Sequence, residues 1–329
     1  MVSGEMCFRC YCGGRLMPRY LITGGAGFIG SNLARFVLLQ GHEVVVLDNF
    51  ATGKRENLTD VLHQITLIEG DIRSKNDVAN AMQGCVAVFH QGALGSVPRS
   101  IDDPVTSHDV NVNGTIHVLE TARAMGVKRI VFAASSSAYG NQPVSPKRED
   151  MPVLPISPYA ANKVACEAYM QAYSAAFGLE TVSLRYFNVF GPRQDPFGAY
   201  AAVIPAFVSA LLKGQSPVVF GDGEQSRDFC YITNVCQANW LAAHAPAAHC
   251  DGRPINIACN EAVSLNQILV KLRELLQIDL PAIYQAERPG DVKHSLADVR
   301  RAKEMIGYVP LVYFDQGLEQ SIAWYRENL

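Results

Sequence analysis

The chain has 329 residues, enough for two packed lobes rather than one small core. With 49% hydrophobic and 18% charged residues it reads as a folded globular protein, and no apolar run reaches the ~18 residues that span a bilayer. A net charge of −3 without a basic stripe argues against nucleic acid as the main partner.

Met1 to Arg19 lacks the apolar core of a secretory signal, which favours a cytoplasmic protein. Nine cysteines, an odd count, do not suggest a disulfide framework. Cys85, Cys166, Cys230, Cys236 and Cys259 sit in apolar or helical contexts and read as buried thiols. Cys7, Cys10 and Cys12 crowd the N-terminal stretch. No second Cys or His pair follows at zinc-site spacing, so no metal is expected. A natural start at Met17 would also account for that stretch.

Tyr20–Thr23 reads as an apolar strand, followed by Gly24-Gly25-Ala26-Gly27-Phe28-Ile29-Gly30. Ser31–Leu39 is an amphipathic helix ended by Gly41. Glu43–Leu47 is a Val-rich strand that runs into Asp48. The pattern repeats with a strand over Ile65–Ile68, a helix over Lys75–Met82 and a strand over Val86–Phe89. A long helix is predicted over Pro104–Met125, a strand over Arg129–Ala133, a helix over Tyr159–Phe177 and a strand over Thr181–Leu184. Strands that are apolar throughout and alternate with helices predict a doubly wound parallel sheet of the Rossmann type. After about Arg185 the elements shorten. Helices are predicted over Ala201–Leu212, Asn234–Ala243, Leu265–Leu276 and Ala297–Ile306, with a strand over Ile255–Ala258. This gives an N-terminal extension (1–17), a dinucleotide-binding domain (18–184, with segments near 234–260 returning to it) and a smaller mixed α/β lobe (185–329).

Gly24, Gly27 and Gly30 stand where a strand turns into a helix. The first permits the tight turn, the second clears space for a pyrophosphate, and the third lets helix and strand approach. The free N–H groups of the helix start favour phosphate. Asp48 ends the next strand at the position of an acid that binds a ribose diol. A carboxylate there repels a 2′-phosphate, which selects NAD over NADP.

Tyr159 and Lys163 are four apart on a predicted helix and so share a face. An ammonium on that face and the positive nicotinamide ring both favour a phenolate, which makes Tyr159 a candidate base. Ser135, Ser136 and Ser137 follow a strand whose C-terminal end borders the ligand crevice of a parallel sheet. Serines there can donate to an oxygen on which charge develops. Read singly, the helix pair and the serines also suit an exposed pair and a turn.

Together these segments resemble the extended short-chain dehydrogenase/reductase family over Arg19–Leu329. The match includes Thr23–Gly30, the Asn111 segment, Ser135–Gly140, Tyr159–Lys163 and Arg185–Gly191, and within the family the chain resembles a UDP-sugar 4-epimerase. Ala93–Ser100 and Gly221–Phe229 are close to the branch that acts on UDP-N-acetylglucosamine (UDP-GlcNAc) and UDP-N-acetylgalactosamine (UDP-GalNAc). The resemblance implies a nucleotide-sugar isomerase, active in polysaccharide biosynthesis and acting through a transient 4-keto sugar, in a homodimer built on the two long helices. It implies NAD contacts from Phe28, Ile29, Asn49, Gly53, Asp71, Ile72, Gln91, Ala93, Asn111 and Tyr186, besides the glycines, Asp48, Tyr159 and Lys163. Ser135 and Tyr159 would meet the sugar 4-hydroxyl with Ser136 nearby. Asn188 would hold the diphosphate sugar, Arg227 and Arg288 the pyrophosphate, and Asp291 the uridine ribose. Gly95, Ser96, Gln194, Ala202, Val203 and Phe220 would complete the substrate pocket.

The family's gate position falls on Ser295, where members restricted to UDP-glucose and UDP-galactose carry tyrosine. A serine leaves room for a 2-acetamido group. Dehydratases of the family place acids where Ser136 and Ser137 stand, so water elimination lacks its acid and base. Epimerisation or decarboxylation of a UDP-uronic acid, and a non-catalytic NAD-binding sensor, stay open as alternatives.

Overall fold

A computed structural model describes residues 17–196, 202–287 and 293–328 of the chain. The cysteines at 7, 10 and 12, and the predicted ligands Arg288 and Asp291, lie outside the described residues.

In chain order the first half comprises β1 (Arg19–Thr23), α1 (Phe28–Leu39), β2 (Glu43–Asp48), β3 (Ile65–Glu69), α2 (Lys75–Met82) and β4 (Cys85–His90). It continues with α3 (Val97–Asp102), α4 (Pro104–His108), α5 (Gly114–Met125), β5 (Arg129–Ser135), α6 (Pro158–Phe177) and β6 (Glu180–Tyr186). The second half holds β7 (Val189–Phe190), α7 (Val203–Leu212), β8 (Val218–Phe220), β9 (Ser226–Asp228), β10 (Cys230–Tyr231), α8 (Ile232–His244) and β11 (Asp251–Ile257). Then come β12 (Ala262–Ser264), α9 (Leu265–Leu276), β13 (Ile283–Gln285), β14 (His294–Ser295), α10 (Arg300–Ile306) and α11 (Phe314–Asn328).

Seven strands form one parallel sheet in the order β11-β6-β5-β4-β1-β2-β3. One core lies on the α1 and α8 face, and a second lies under α2, α5 and α6. Two covered faces explain why strands such as Glu43–Asp48 are apolar on both sides. The chain runs outward from β1 through β2 to β3, then crosses back to β4 on the other side of β1. The reversal opens a crevice at the C-terminal ends of β1 and β4. Short pairs complete the second half: β7 with β10, β8 with β13, and β9 between β12 and β14.

Several predicted elements take a different form. The helix expected over Pro104–Met125 is α4, a widened π-type turn over Asp109–Asn113, and α5. α10 starts at Arg300 rather than Ala297, because the Ala297 amide is bound to Asp228 and Asp298 accepts the Arg300 amide. The 3-10 segment Arg55–Gln64, α3 and α11 were not predicted. Cys85, Cys166, Cys230, Cys236 and Cys259 are all buried free thiols, as is Cys250.

Buried polar side chains fasten the second half to the sheet. Asp228 has no exposed surface and accepts the amides of Cys259 at 2.9 Å and Ala297 at 3.2 Å. Burial pushes its carboxyl up to about 6, against the pull of those backbone donors. Asn256 in β11 accepts from the Tyr139 hydroxyl at 2.7 Å and donates to the carbonyls of Lys147 and Asp298. Arg185 forks onto Glu167 at 2.8 and 2.7 Å and lies over the Tyr139 ring. These contacts join β6, α6, β11 and the turn after β5.

Candidate functional site

The glycine turn after β1 leaves no room for side chains. A Cβ on Gly30 would stand 2.2 Å from the Gly24 carbonyl, and one on Gly24 would stand 2.7 Å from Gly92 Cα. Gly24 also has a φ of +67°, which favours glycine. Gly27 precedes α1, and no side chain caps that helix. Its first-turn N–H groups are therefore available to an anion. Asp48 closes the turn from the next strand. Its carboxylate accepts the Ala26 and Phe50 amides, both at 2.8 Å, while burial raises its proton affinity.

A cleft of about 210 Å³ opens here. Of the predicted cofactor residues, Gly24, Gly27, Asp48, Asn49, Gly53, Ile72, Gln91 and Ala93 line it. Phe28, Ile29 and Gly30 form the first turn of α1 beside it. The others are placed differently. Asp71 is paired with Arg73 and accepts from Asn49, and the Arg73 bonds hold its carboxyl down at about 2. Asn111 is buried, and its amide is spent on Leu94, accepting from the amide at 2.7 Å and donating to the carbonyl at 3.1 Å. Tyr186 is buried too, its hydroxyl shared between Gln91 and Asn239. Asn111 and Tyr186 thus brace the cleft wall from behind.

A second cavity, of about 360 Å³, gathers Ser135, Ser136, Tyr159, Asn188, Arg227 and Ser295. Ser135 ends β5, and its Oγ accepts both the amide and the hydroxyl of Ser137, at 3.2 and 2.9 Å. Its own hydroxyl proton is thereby left to point elsewhere. Tyr159 opens α6, where Ser157 caps the helix and the Ser100 hydroxyl, buried on α3, accepts the Tyr159 amide at 3.0 Å. Lys163 is buried one turn further on. Its Nζ donates to the Ala133 carbonyl at 2.7 Å and lies 5.8 Å from the Tyr159 ring centre.

A third cavity, of about 550 Å³, shares Asn188 and Arg227 with the second and adds the predicted Gln194, Ala202, Val203 and Phe220. Asn188 donates to the Asp228 carbonyl, and Arg227 donates to the carbonyls of Ser226 and Lys293. Ser295 in β14 pairs in register with Arg227 in β9. Gly95 and Ser96 lie in the loop before α3, apart from the linings of the three cavities. Among the residues not predicted, Lys147, Tyr139 and Ile156 line the second cavity and Gln225 and Phe229 the third. Tyr139, Gln225 and Phe229 lie within the segments Ser135–Gly140 and Gly221–Phe229 that carry the resemblance, whereas Lys147 and Ile156 belong to no motif. Only the tertiary fold brings them in. Among the described residues, no helix is long and apolar enough to cross a membrane, and no group of three or more His, Cys, Asp or Glu could hold a metal.

Residues 20–258 match the family model described as the NAD dependent epimerase/dehydratase family. The chain belongs to that family. It is 37% identical over 318 residues to a UDP-glucose 4-epimerase of Mycolicibacterium smegmatis, covering 94% of this chain and 99% of that one. A solved UDP-N-acetylglucosamine 4-epimerase from Methanobrevibacter ruminantium, in complex with UDP-N-acetylmuramic acid, superposes with a TM-score of 0.89. It is 38% identical, over 95% of this chain and 99% of that one. A UDP-N-acetyl-alpha-D-glucosaminuronate decarboxylase of Bacillus cytotoxicus is 32% identical, over 95% of this chain and 99% of that one. The family is NAD-dependent, and the first cleft suits that cofactor. Its glycines clear a cradle that any Cβ would fill, and Asp48 sits at the end of β2 beside it.

Replacing Asp48 by Ala removes the acceptor of the Ala26 and Phe50 amides. NAD affinity, measured by calorimetry on cofactor-stripped protein, is expected to fall about tenfold or more, the scale of one charge-assisted hydrogen bond. Unchanged affinity would remove Asp48 from the cofactor site.

Proposed function

We propose that this protein is an NAD-dependent 4-epimerase of UDP-sugars that interconverts UDP-GlcNAc and UDP-GalNAc through a 4-keto sugar. The observation that carries the substrate class is Ser295. This small side chain shares one cavity wall with Tyr159 and Ser135 and is paired with Arg227. A short hydroxyl there leaves space for a 2-acetamido group.

In this reading the nucleotide lies in the larger cavity, with Arg227 and Asn188 at the diphosphate. An arginine fork matches phosphate oxygens. Arg288 and Asp291 would add a second fork and a ribose acceptor. Bound NAD supplies the hydride acceptor and donor. Tyr159 removes the proton from the 4-hydroxyl and returns it after the ketone has turned its other face. Ser135, with its oxygen already accepting from Ser137, donates to the sugar oxygen as charge develops. Lys163, fixed by the Ala133 carbonyl, keeps a positive charge near the phenol.

A UDP-uronic acid is the second reading, and Lys147 favours it. This residue is 2% exposed and lines the same cavity, with the Gln142 and Val144 carbonyls as its ammonium's partners. We also propose a homodimer through the Pro104–Met125 segment (α4 to α5) and α6, supported by the exposed apolar surface of Val105, Met125, Tyr169 and Phe177. Light scattering that returns a monomer mass would end that proposal.

Incubation with UDP-GlcNAc, UDP-glucose and UDP-glucuronate, read by proton NMR of the anomeric products, separates the readings. A 4-epimer of UDP-GlcNAc is expected. Conversion of UDP-glucuronate alone would replace the first reading by the second. Tyr159→Phe should lower kcat by at least ~10²-fold, the scale of a lost general base, with melting unchanged. Ser295→Tyr should suppress turnover of UDP-GlcNAc and spare UDP-glucose, whereas equal loss on both would refute the gate.

A further inference from the structure

His90 ends β4 beneath the cofactor cleft and is 1% exposed. Its hydrogen-bond partners determine which ring nitrogen carries the proton. The Thr115 hydroxyl donates to the Asn111 carbonyl at 2.6 Å, so its oxygen must accept from the ring. His90 Nε2 is therefore the donor, at 2.9 Å. In that tautomer Nδ1 is bare, and it accepts the Thr23 hydroxyl at 2.7 Å. Thr23 Oγ1 in turn accepts the Gly92 amide at 3.0 Å. The hydrogen bonds thus run in one direction, from the Gly92 N–H to the Asn111 carbonyl. Burial, reinforced by the charge of Lys163, pushes the ring down to about 3 and keeps it neutral.

Both ends of this chain act on one short stretch of backbone. Gly92 is held at one end, against the turn at Gly24. At the other end Asn111 grips Leu94 by both of its backbone groups. Gln91, Gly92, Ala93 and Leu94 line the same cleft as Gly24, Gly27 and Asp48, and Gly92 lies directly against Gly24. The placement of this stretch against the glycine turn therefore runs through a ring that is absent from the cleft lining.

We propose that His90 is a positioning residue for NAD: as a neutral, Nε2-protonated connector it fixes the 91–94 wall relative to the glycine turn and so sets the width of the cofactor cleft. The proposal rests on the placement of NAD in this cleft and is independent of which sugar is turned over. A purely structural histidine would change melting without changing cofactor affinity.

The test has two arms. Nitrogen-15 NMR of the wild-type imidazole should show a proton on Nε2 and none on Nδ1 at neutral pH. A proton on Nδ1, or on both nitrogens, would overturn the proposal without any variant. In the second arm NAD dissociation constants are measured by calorimetry on cofactor-stripped Thr23→Val, Thr115→Val and Thr23→Ser. Each valine variant cuts one end of the chain and should weaken NAD about tenfold, the scale of one buried hydrogen bond, while UDP affinity stays within about twofold. Thr23→Ser keeps the hydroxyl and should restore the wild-type value. Lower melting with unchanged NAD affinity in both valine variants would reduce His90 to a packing role. Absence of sugar-nucleotide turnover in the wild type would sink the epimerase reading and leave both arms readable.

Discussion

The contact on which the molecule turns is backbone against backbone. Where β1 ends, the Gly24 turn approaches Gly92 so closely that a single added carbon would stand 2.7 Å from its Cα. That approach lies where successive strands stop building in one direction and resume in the other. A parallel sheet has its crevice at such a point, because the loops leaving the neighbouring strands diverge. Glycine there is a steric necessity, and the helix that follows starts with uncapped N–H groups facing the same gap. Sheet order, turn geometry and helix polarity thus converge on one cleft.

The second half is held to this scaffold by apolar packing and by a few buried polar joints. Apolar surfaces attract without choosing a register, whereas a buried carboxylate such as Asp228 tolerates few arrangements of the amides around it. Asp228 lies beside Arg227 and receives the amide of Ala297, two residues past Ser295. Asn256 likewise ties the Tyr139 turn to the backbone carbonyls of Lys147 and Asp298. The cavity that holds Tyr159 is therefore bounded on one side by the sheet and on the other by segments fastened to it through hydrogen bonds. Movement of either joint would displace Ser295 and Arg227 together.

Much of this was legible in the residue order. The first βαβ unit, the glycine turn and Asp48 were readable because each is local and each follows from sterics or periodicity. Leu265–Leu276 was readable at both ends, and the Ser264/Gln267 capping box at its start is also a local device. What stayed hidden depends on partners far away in the chain. Strands of two or three residues, such as Val189–Phe190 and His294–Ser295, exist only because a distant segment pairs with them. α11 begins at Phe314, and its buried side chains at Phe314, Leu318, Ile322 and Tyr325 have helical spacing, but Gly317 and the polar residues between them blur it in the sequence. Asn111 and Tyr186 were flagged as cofactor residues. The structure shows their polar groups engaged by Leu94, Gln91 and Asn239, a distinction that residue type does not carry. His90 and Lys147 left no local trace at all.

The widened turn at Asp109–Asn113 takes up one residue of chain length without moving the helix beyond it. A π-type turn holds one residue more than ordinary winding, so every side chain beyond it is offset by about 100° from the direction that regular winding would give it. That phase offset lets Asn111 face Leu94 while Gly114 and Val118 face the sheet side, where Ile72 packs against Gly114. Regular winding of this segment with every residue kept would swing all of α5 by about 100°, whereas losing one residue between His108 and Gly114 would take up the extra residue and leave α5 facing as it does. A one-residue deletion is thus a smaller disturbance inside this segment than within the regular turns of α5, where it would rotate every later side chain by about 100°.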